Sequence, residues 1–144
     1  MKKELILLIL LFLNISLFSQ VNFENLSLSE AFQKSKETGK LIFLQLESSD
    51  CLQCNEVADK AFTNKSLGEK LYQSFICIKI SANHPDRETA NKLFNKKTDS
   101  FGSFFIAPDN SLIHVYNKTT TKSDVYEKEA DIALTKAGEG IRLI

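Results

Sequence analysis

Two cysteines stand three residues apart at Cys51-Leu52-Gln53-Cys54, a third lies at Cys77, and the only histidines are His84 and His114. The thiolate is both the nucleophile and the metal ligand of cysteine chemistry, so this short set bounds what the chain can do. In an oxidising compartment a cysteine pair at this spacing is either a local disulfide or a redox-active dithiol. Three cysteines are too few for a disulfide-stapled scaffold. A bridge across so short a loop also does little for stability, because the gain from cross-linking grows with loop length. A structural zinc site calls for a second such pair, and neither histidine stands at ligand spacing from the first. No metal and no cofactor is therefore expected. Cys77 sits inside an apolar run and reads as a small core residue rather than a third redox centre.

The positioning elements come from the pattern around these residues. Ser27-Leu28-Ser29-Glu30 has the form of a capping box, Leu28, Ala31 and Phe32 share one helical face, and Gly39 closes the segment as a left-handed cap. Leu41 to Leu46 is a near-continuous apolar run of strand length, the mark of a strand covered on both faces. The cysteine pair follows it after Glu47 to Asp50, and Val57, Ala58, Ala61 and Phe62 then recur at helical spacing. The pair thus belongs at a helix N-terminus, with Asp50 beside it as a candidate cap. Ser66-Leu67-Gly68-Glu69 reads as a second capping box opening a short helix through Leu71 and Tyr72. Phe75 to Ile80 is a strand with Ile76, Ile78 and Ile80 on one face. Pro85 and Asp86 open a helix that turns Ala90, Leu93 and Phe94 inward.

Phe101 to Ala107 reads as a strand, Pro108-Asp109-Asn110 as a turn, and Leu112 to Tyr116 as the antiparallel partner. Phe101, Phe104 and Phe105 count as core, and Lys96-Lys97 as a solvated loop. After the polar Thr119-Thr120-Thr121, a last helix runs from about Ser123 to Gly138, with Val125, Tyr126, Ile132, Ala133 and Ala137 available for burial. Alternating strands and helices closed by a hairpin and a helix predict an α/β three-layer sandwich, a central mixed sheet flanked by helices.

The N-terminus has the layout of a secretory signal: Lys2 and Lys3, then the apolar stretch from Leu5 to Leu13 continuing patchily to Phe18, then Ser16, Ser19 and Gln20 as a small polar exit. The apolar stretch is shorter than the ~20 residues of a spanning helix. The expected division is a signal peptide over 1–19, cleaved near Ser19 or Gln20, and one exported domain over 20–144 without a stable membrane span. The chain of 144 residues is one domain by length, 43% hydrophobic and 25% charged, with 18 basic and 18 acidic side chains. Such a balance without a basic patch gives no reason to expect a nucleic-acid partner.

The phrases Glu30-Ala31-Phe32, Thr38 to Leu44, Cys51-Leu52-Gln53-Cys54, Ala61-Phe62-Thr63-Asn64, Ser74 to Ile80 and Phe104 to Asn110, in that order and spacing, resemble the thioredoxin superfamily. The likeness is greatest to its exported single-domain, disulfide-reductase-like members and extends from about Phe23 to Ala137. It implies a thioredoxin-like fold, a nucleophile at Cys51 and a resolving thiol at Cys54. It also implies protein thiols and disulfides as substrates, and an upstream redox partner in the periplasm. Three departures stand out. The family usually begins the strand at Phe101 to Ala107 with a cis-proline facing the dithiol, and here Phe101-Gly102-Ser103 takes that place as the candidate substrate-docking loop, its bend supplied by glycine. Gln45, six residues before Cys51, stands where redox-active members commonly bury a carboxylate. Asp50 puts a negative charge beside the nucleophile, which opposes thiolate formation. Two functions remain open: a thiol–disulfide oxidoreductase, and a protein-binding module of the same fold with little turnover.

Overall fold

The computed structural model describes residues 2–3, 19–94 and 101–142 of the chain. The apolar stretch of the expected signal, and Lys96-Lys97, lie outside them. Among the described residues nine elements follow one another: α1 (Leu28–Thr38), β1 (Leu41–Leu46), α2 (Leu52–Phe62), α3 (Lys65–Ser74), β2 (Phe75–Ile80), α4 (Arg87–Phe94), β3 (Gly102–Ile106), β4 (Leu112–Tyr116) and α5 (Ser123–Arg142).

The sheet order is β2-β1-β3-β4. β1 pairs parallel with β2, from Leu41 opposite Phe75 to Leu46 opposite Ile80, and antiparallel with β3. β3 and β4 form the expected hairpin, with a register shift at Phe105/Ile106. Every residue of β1 is buried, as its unbroken apolar run predicts for a central strand.

Strand alternation sends side chains to two faces, and each face builds its own core. Phe43, Phe75, Cys77 and Phe105 point one way and pack with Ala58, Ala61 and Phe62 of α2, Leu67 and Leu71 of α3, and Tyr126, Ala130 and Ala133 of α5. Ile42, Leu44, Leu46, Ile76, Ile78, Ile80, Phe104 and Ile106 point the other way, onto Leu28 and Ala31 of α1 and Ala90 of α4. Helices on both faces of a mixed sheet make the three-layer sandwich that the element order implies.

Local sequence sets most element ends. Ser27 caps α1, its hydroxyl accepting from the Glu30 amide while the Glu30 carboxylate accepts from the Ser27 amide, and Gly39 ends the helix at φ 72°. The N-terminal segment docks along the outer edge of β2. Val21 is buried, its N–H donates to the Phe62 carbonyl at 2.8 Å, and Phe23 bridges in parallel to Cys77.

Four expectations need correction. The cap of α3 is Asn64, not Ser66: its side chain accepts from the Leu67 amide. α2 ends at Phe62 with Thr63 as its C-cap, and Asn64, the next residue, already supplies the side-chain acceptor that opens α3. α4 begins at Arg87 rather than at Pro85 or Asp86, because Asp86 is drawn across to α1, where its carboxylate accepts from the Leu28 amide at 2.8 Å. Leu93 faces out, 57% exposed, while Phe94 and Ala90 carry the contact with the core. α5 continues through Gly138 to Arg142, since an exposed glycine costs a helix only about 1 kcal/mol relative to alanine.

Candidate active site

β1 ends at Leu46, and the chain turns through Glu47 to Asp50 before α2 begins at Leu52. Cys51 is the N-cap of α2, at φ −132° and ψ 82°, and its sulfur accepts from the Cys54 amide at 3.1 Å. Cys51 and Cys54 are joined as a disulfide with Cα atoms 5.2 Å apart. Both are half-buried, while Leu52 between them is 75% exposed. The first turn of α2 holds no acidic residue. A sulfur at this cap faces the unsatisfied amides and positive end of the helix dipole, which favour the thiolate over the thiol.

Asp50 is not the cap. Its amide and that of Cys51 both donate to the Ser48 hydroxyl, at 3.3 and 3.1 Å. Ser48 is in turn held by Asn55, whose side-chain oxygen accepts from the Ser48 amide at 2.8 Å and whose side-chain nitrogen donates to the Ser48 carbonyl at 3.0 Å. Just upstream, the Glu47 amide donates to the Ile80 carbonyl at 2.9 Å, and the Arg87 guanidinium donates to the Glu47 carbonyl. Neither Ser48 nor Asn55 was legible as a site residue. Asn55 reads as an ordinary polar helix position, and only its seven-residue separation from Ser48, closed by the turn, brings the two together.

Beneath α2, the face of the sheet that carries Phe43 becomes polar at one end. Gln45 is 3% exposed and fully buried Ser103 donates its hydroxyl to the Gln45 side-chain oxygen at 2.6 Å. Gln45 thus occupies its buried position as a satisfied neutral amide. Lys79, next to Gln45 across the parallel pair, bonds Asp59 of α2 at 2.6 Å and lies over the Phe23 and Phe62 rings.

The expected loop Phe101-Gly102-Ser103 is only partly a loop. Gly102 and Ser103 are β3 residues opposite Leu46 and Gln45. Gly102 has φ +123°, and a Cβ there would sit 2.5 Å from the Tyr116 carbonyl oxygen. Glycine supplies the unusual dihedral, and proline, held near φ −65°, does not fit at 102. Among the described residues no peptide bond is cis.

Cys77 is a buried residue of β2, and burial raises its thiol pKa. His84 accepts from the Asp86 amide at 3.0 Å, whereas His114 contacts Glu129 and, at 3.0 Å, Lys136 on α5. The described residues contain no group of three His, Cys, Asp or Glu side chains placed to hold a metal ion. A groove of about 590 Å³, lined by Leu41, Ala107, Leu112 and Ala137 among others, opens beside the first residue of β1, whereas the cysteines follow its last.

A mixed sheet between two helical layers, with a half-buried cysteine pair at the start of the helix that follows the central strand, defines the class of dithiol–disulfide folds. The chain belongs to the thioredoxin-like family, whose model matches residues 22–108. It is 33% identical over 76 residues to spermatogenesis-associated protein 20 of Mus musculus, a stretch that is 52% of this chain and 10% of that protein. The chain thus spans about a tenth of the length of the curated relatives it matches. Among solved structures it is similar to the DsbH oxidoreductase, with TM-score 0.64, 19% identity, and 81% of this chain and 88% of that one covered. A thioredoxin from Thermus thermophilus gives TM-score 0.65 at 11% identity, covering 85% of this chain and 94% of that one. At these identities the likeness to the solved structures is one of fold.

Proposed function

We propose that the protein is an exported thiol–disulfide oxidoreductase that reduces or exchanges disulfides in protein substrates through Cys51 and Cys54. The observation that carries this reading is that Cys51 is at once the N-cap of α2 and half of a disulfide with Cys54. In the reduced protein the Cys51 thiolate attacks one sulfur of a substrate disulfide. The substrate S–S bond breaks, a mixed disulfide forms, and the departing substrate thiolate takes a proton from water. The Cys54 thiolate then attacks the Cys51 sulfur, closing the Cys51–Cys54 disulfide and releasing the second substrate thiolate. Two electrons have passed to the substrate, and a dithiol partner upstream must return them. Exposed Leu52 gives an unfolded or extended substrate segment an apolar contact beside the nucleophile, and of the expected docking loop half-buried Phe101 is the residue open to substrate, since Gly102 and Ser103 are buried in β3 between β1 and β4.

Export rests on the N-terminal pattern, with cleavage near Ser19 or Gln20 and a domain over 20–144. Burial of Val21 and its bond to Phe62 support a fold that begins there. Among the described residues no helix is long and apolar enough to cross a membrane. The intact mass of the protein in the envelope fraction tests this, and a full-length mass retained in the membrane replaces cleavage by anchoring.

A second reading, a binding module with little turnover, is favoured by the neutral Gln45–Ser103 pair, which offers the dithiol no buried carboxylate as proton acceptor. Insulin reduction by the chain from Gln20 onward, with Cys51→Ser as control, separates the two. Turnover lost in the control supports the oxidoreductase; equal rates with and without Cys51 leave the binding module.

A further inference from the structure

We infer that Asn55 is a positioning residue for Cys51: its side-chain amide clamps Ser48 at two points and thereby holds the nucleophile in the cap of α2. The inference rests on the oxidoreductase reading above.

The turn between β1 and α2 carries the sulfur, and its backbone groups have few partners of their own kind. Glu47 is tied to Ile80 and Arg87, and that hold ends one residue before the turn tip. Ser48 is the next link. Its amide and carbonyl both bond the Asn55 side chain, at 2.8 and 3.0 Å, so the carboxamide stands in for a neighbouring strand's peptide group. Its hydroxyl then accepts from the amides of Asp50 and Cys51. The chain of contacts therefore runs from the second turn of α2, through Ser48, to the backbone of Cys51. Side-chain bonds of this kind fix a turn where no ladder can.

The chemical consequence follows from what the cap does. With Cys51 held there, its sulfur lies 3.1 Å from the Cys54 amide, and in the reduced protein that N–H donates to the thiolate. A hydrogen bond to the charged form lowers a pKa. Without the clamp, Ser48 turns its backbone to water, the turn widens, and the thiolate loses a fixed donor. Asn is suited to this place because it supplies a donor and an acceptor and no charge. An aspartate there keeps the acceptor, loses the donor to the Ser48 carbonyl, and adds a negative charge beside the sulfur.

The test uses the full chain, reduced, with two readouts that a merely structural asparagine does not move. One is the pH midpoint for alkylation of Cys51 by iodoacetamide. The other is the equilibrium with glutathione, in which two glutathione thiols become one glutathione disulfide as Cys51–Cys54 is reduced. Asn55→Ala is expected to raise the midpoint and slow alkylation at pH 7 roughly three- to tenfold. It is also expected to shift the glutathione equilibrium toward the protein disulfide by a similar factor, because the reduced form has lost thiolate stabilisation. Ser48→Ala should move both readouts in the same direction by less, and the double variant no further than Asn55→Ala alone, since both act through one turn. An unchanged midpoint and equilibrium in Asn55→Ala, whatever its thermal stability, overturns the inference. If that variant does not fold, unchanged readouts in Ser48→Ala do the same. A native chain whose Cys51–Cys54 disulfide does not exchange with glutathione at any ratio overturns the oxidoreductase reading instead, independently of Asn55.

Discussion

The N-termini of α1 and α2 solve the same problem with opposite consequences. Each helix leaves its first amides without intrahelical partners, and in each the cap residue accepts from the amide three positions on. At α1 the acceptors are a hydroxyl and two carboxylates: Ser27 takes the Glu30 amide, Glu30 takes the Ser27 amide, and Asp86 takes the Leu28 amide. The positive end of that helix is neutralised. At α2 the acceptor is a sulfur, the first turn carries no acid, and the turn before it is held by the neutral Asn55. The positive end there stays available to a thiolate. Carboxylates that accept from the first amides make the start of α1 structural; at α2 the cap acceptor is the Cys51 sulfur, and Asp50 stands outside the cap.

The largest expected effect is at the cap of α2. Cys51→Ser keeps an oxygen acceptor for the helix and so retains the fold, but disulfide exchange falls to the uncatalysed background, measured by insulin turbidity. Next comes an exchange of character between the two starts. Gln53→Glu places a carboxylate in the first turn of α2 and should slow alkylation of Cys51 at neutral pH roughly two- to fivefold, the size of a helix-terminus charge interaction of about 0.3–1 kcal/mol. An unchanged rate breaks the comparison, because the sulfur would then not sense the helix end. Ser27→Ala removes the structural cap and should cost about 1 kcal/mol by urea denaturation, with the Cys51 alkylation rate unaltered.

The smallest effect is a pH dependence confined to α1. The Ser27 amide and hydroxyl beside Glu30 hold its carboxyl below the ordinary 4.5. A depressed folded-state pKa contributes stability above the unfolded value and loses it as pH falls through the folded one. Urea midpoints measured downward from pH 5 should therefore decline slightly more steeply in the native chain than in Glu30→Gln. Glu30 is fully exposed, so the difference is small, and parallel curves would remove Glu30 from the account.

The two starts also differ in how far they could be read. The α1 cap is written in consecutive residues, Ser27 to Glu30, and the structure forms it as spelled. The cysteine pair at the head of α2 is equally local, as are β1, the β3–β4 hairpin and Gly39, because hydrophobic period, caps and turn residues act over a few positions. Local signals gave way to competing contacts at three positions. Asp86, placed at the start of α4, serves α1 instead, and Ser66 lost the cap of α3 to Asn64. Leu93, inward by periodicity, points out because Phe94 and Ala90 already fill the contact.

The sequence alone therefore determined the order of elements, the strand faces, the dithiol motif and its place before a helix, since each follows from spacing within one segment. The tertiary structure decided what surrounds that motif. Gln45 and Ser103 are 58 residues apart, Arg87 and Glu47 are 40 apart, and the Asn55–Ser48 clamp closes only because the turn folds back on α2. Such bonds depend on which strands pair and how a turn returns, and a side chain's own type carries no record of the partner that packing brings to it.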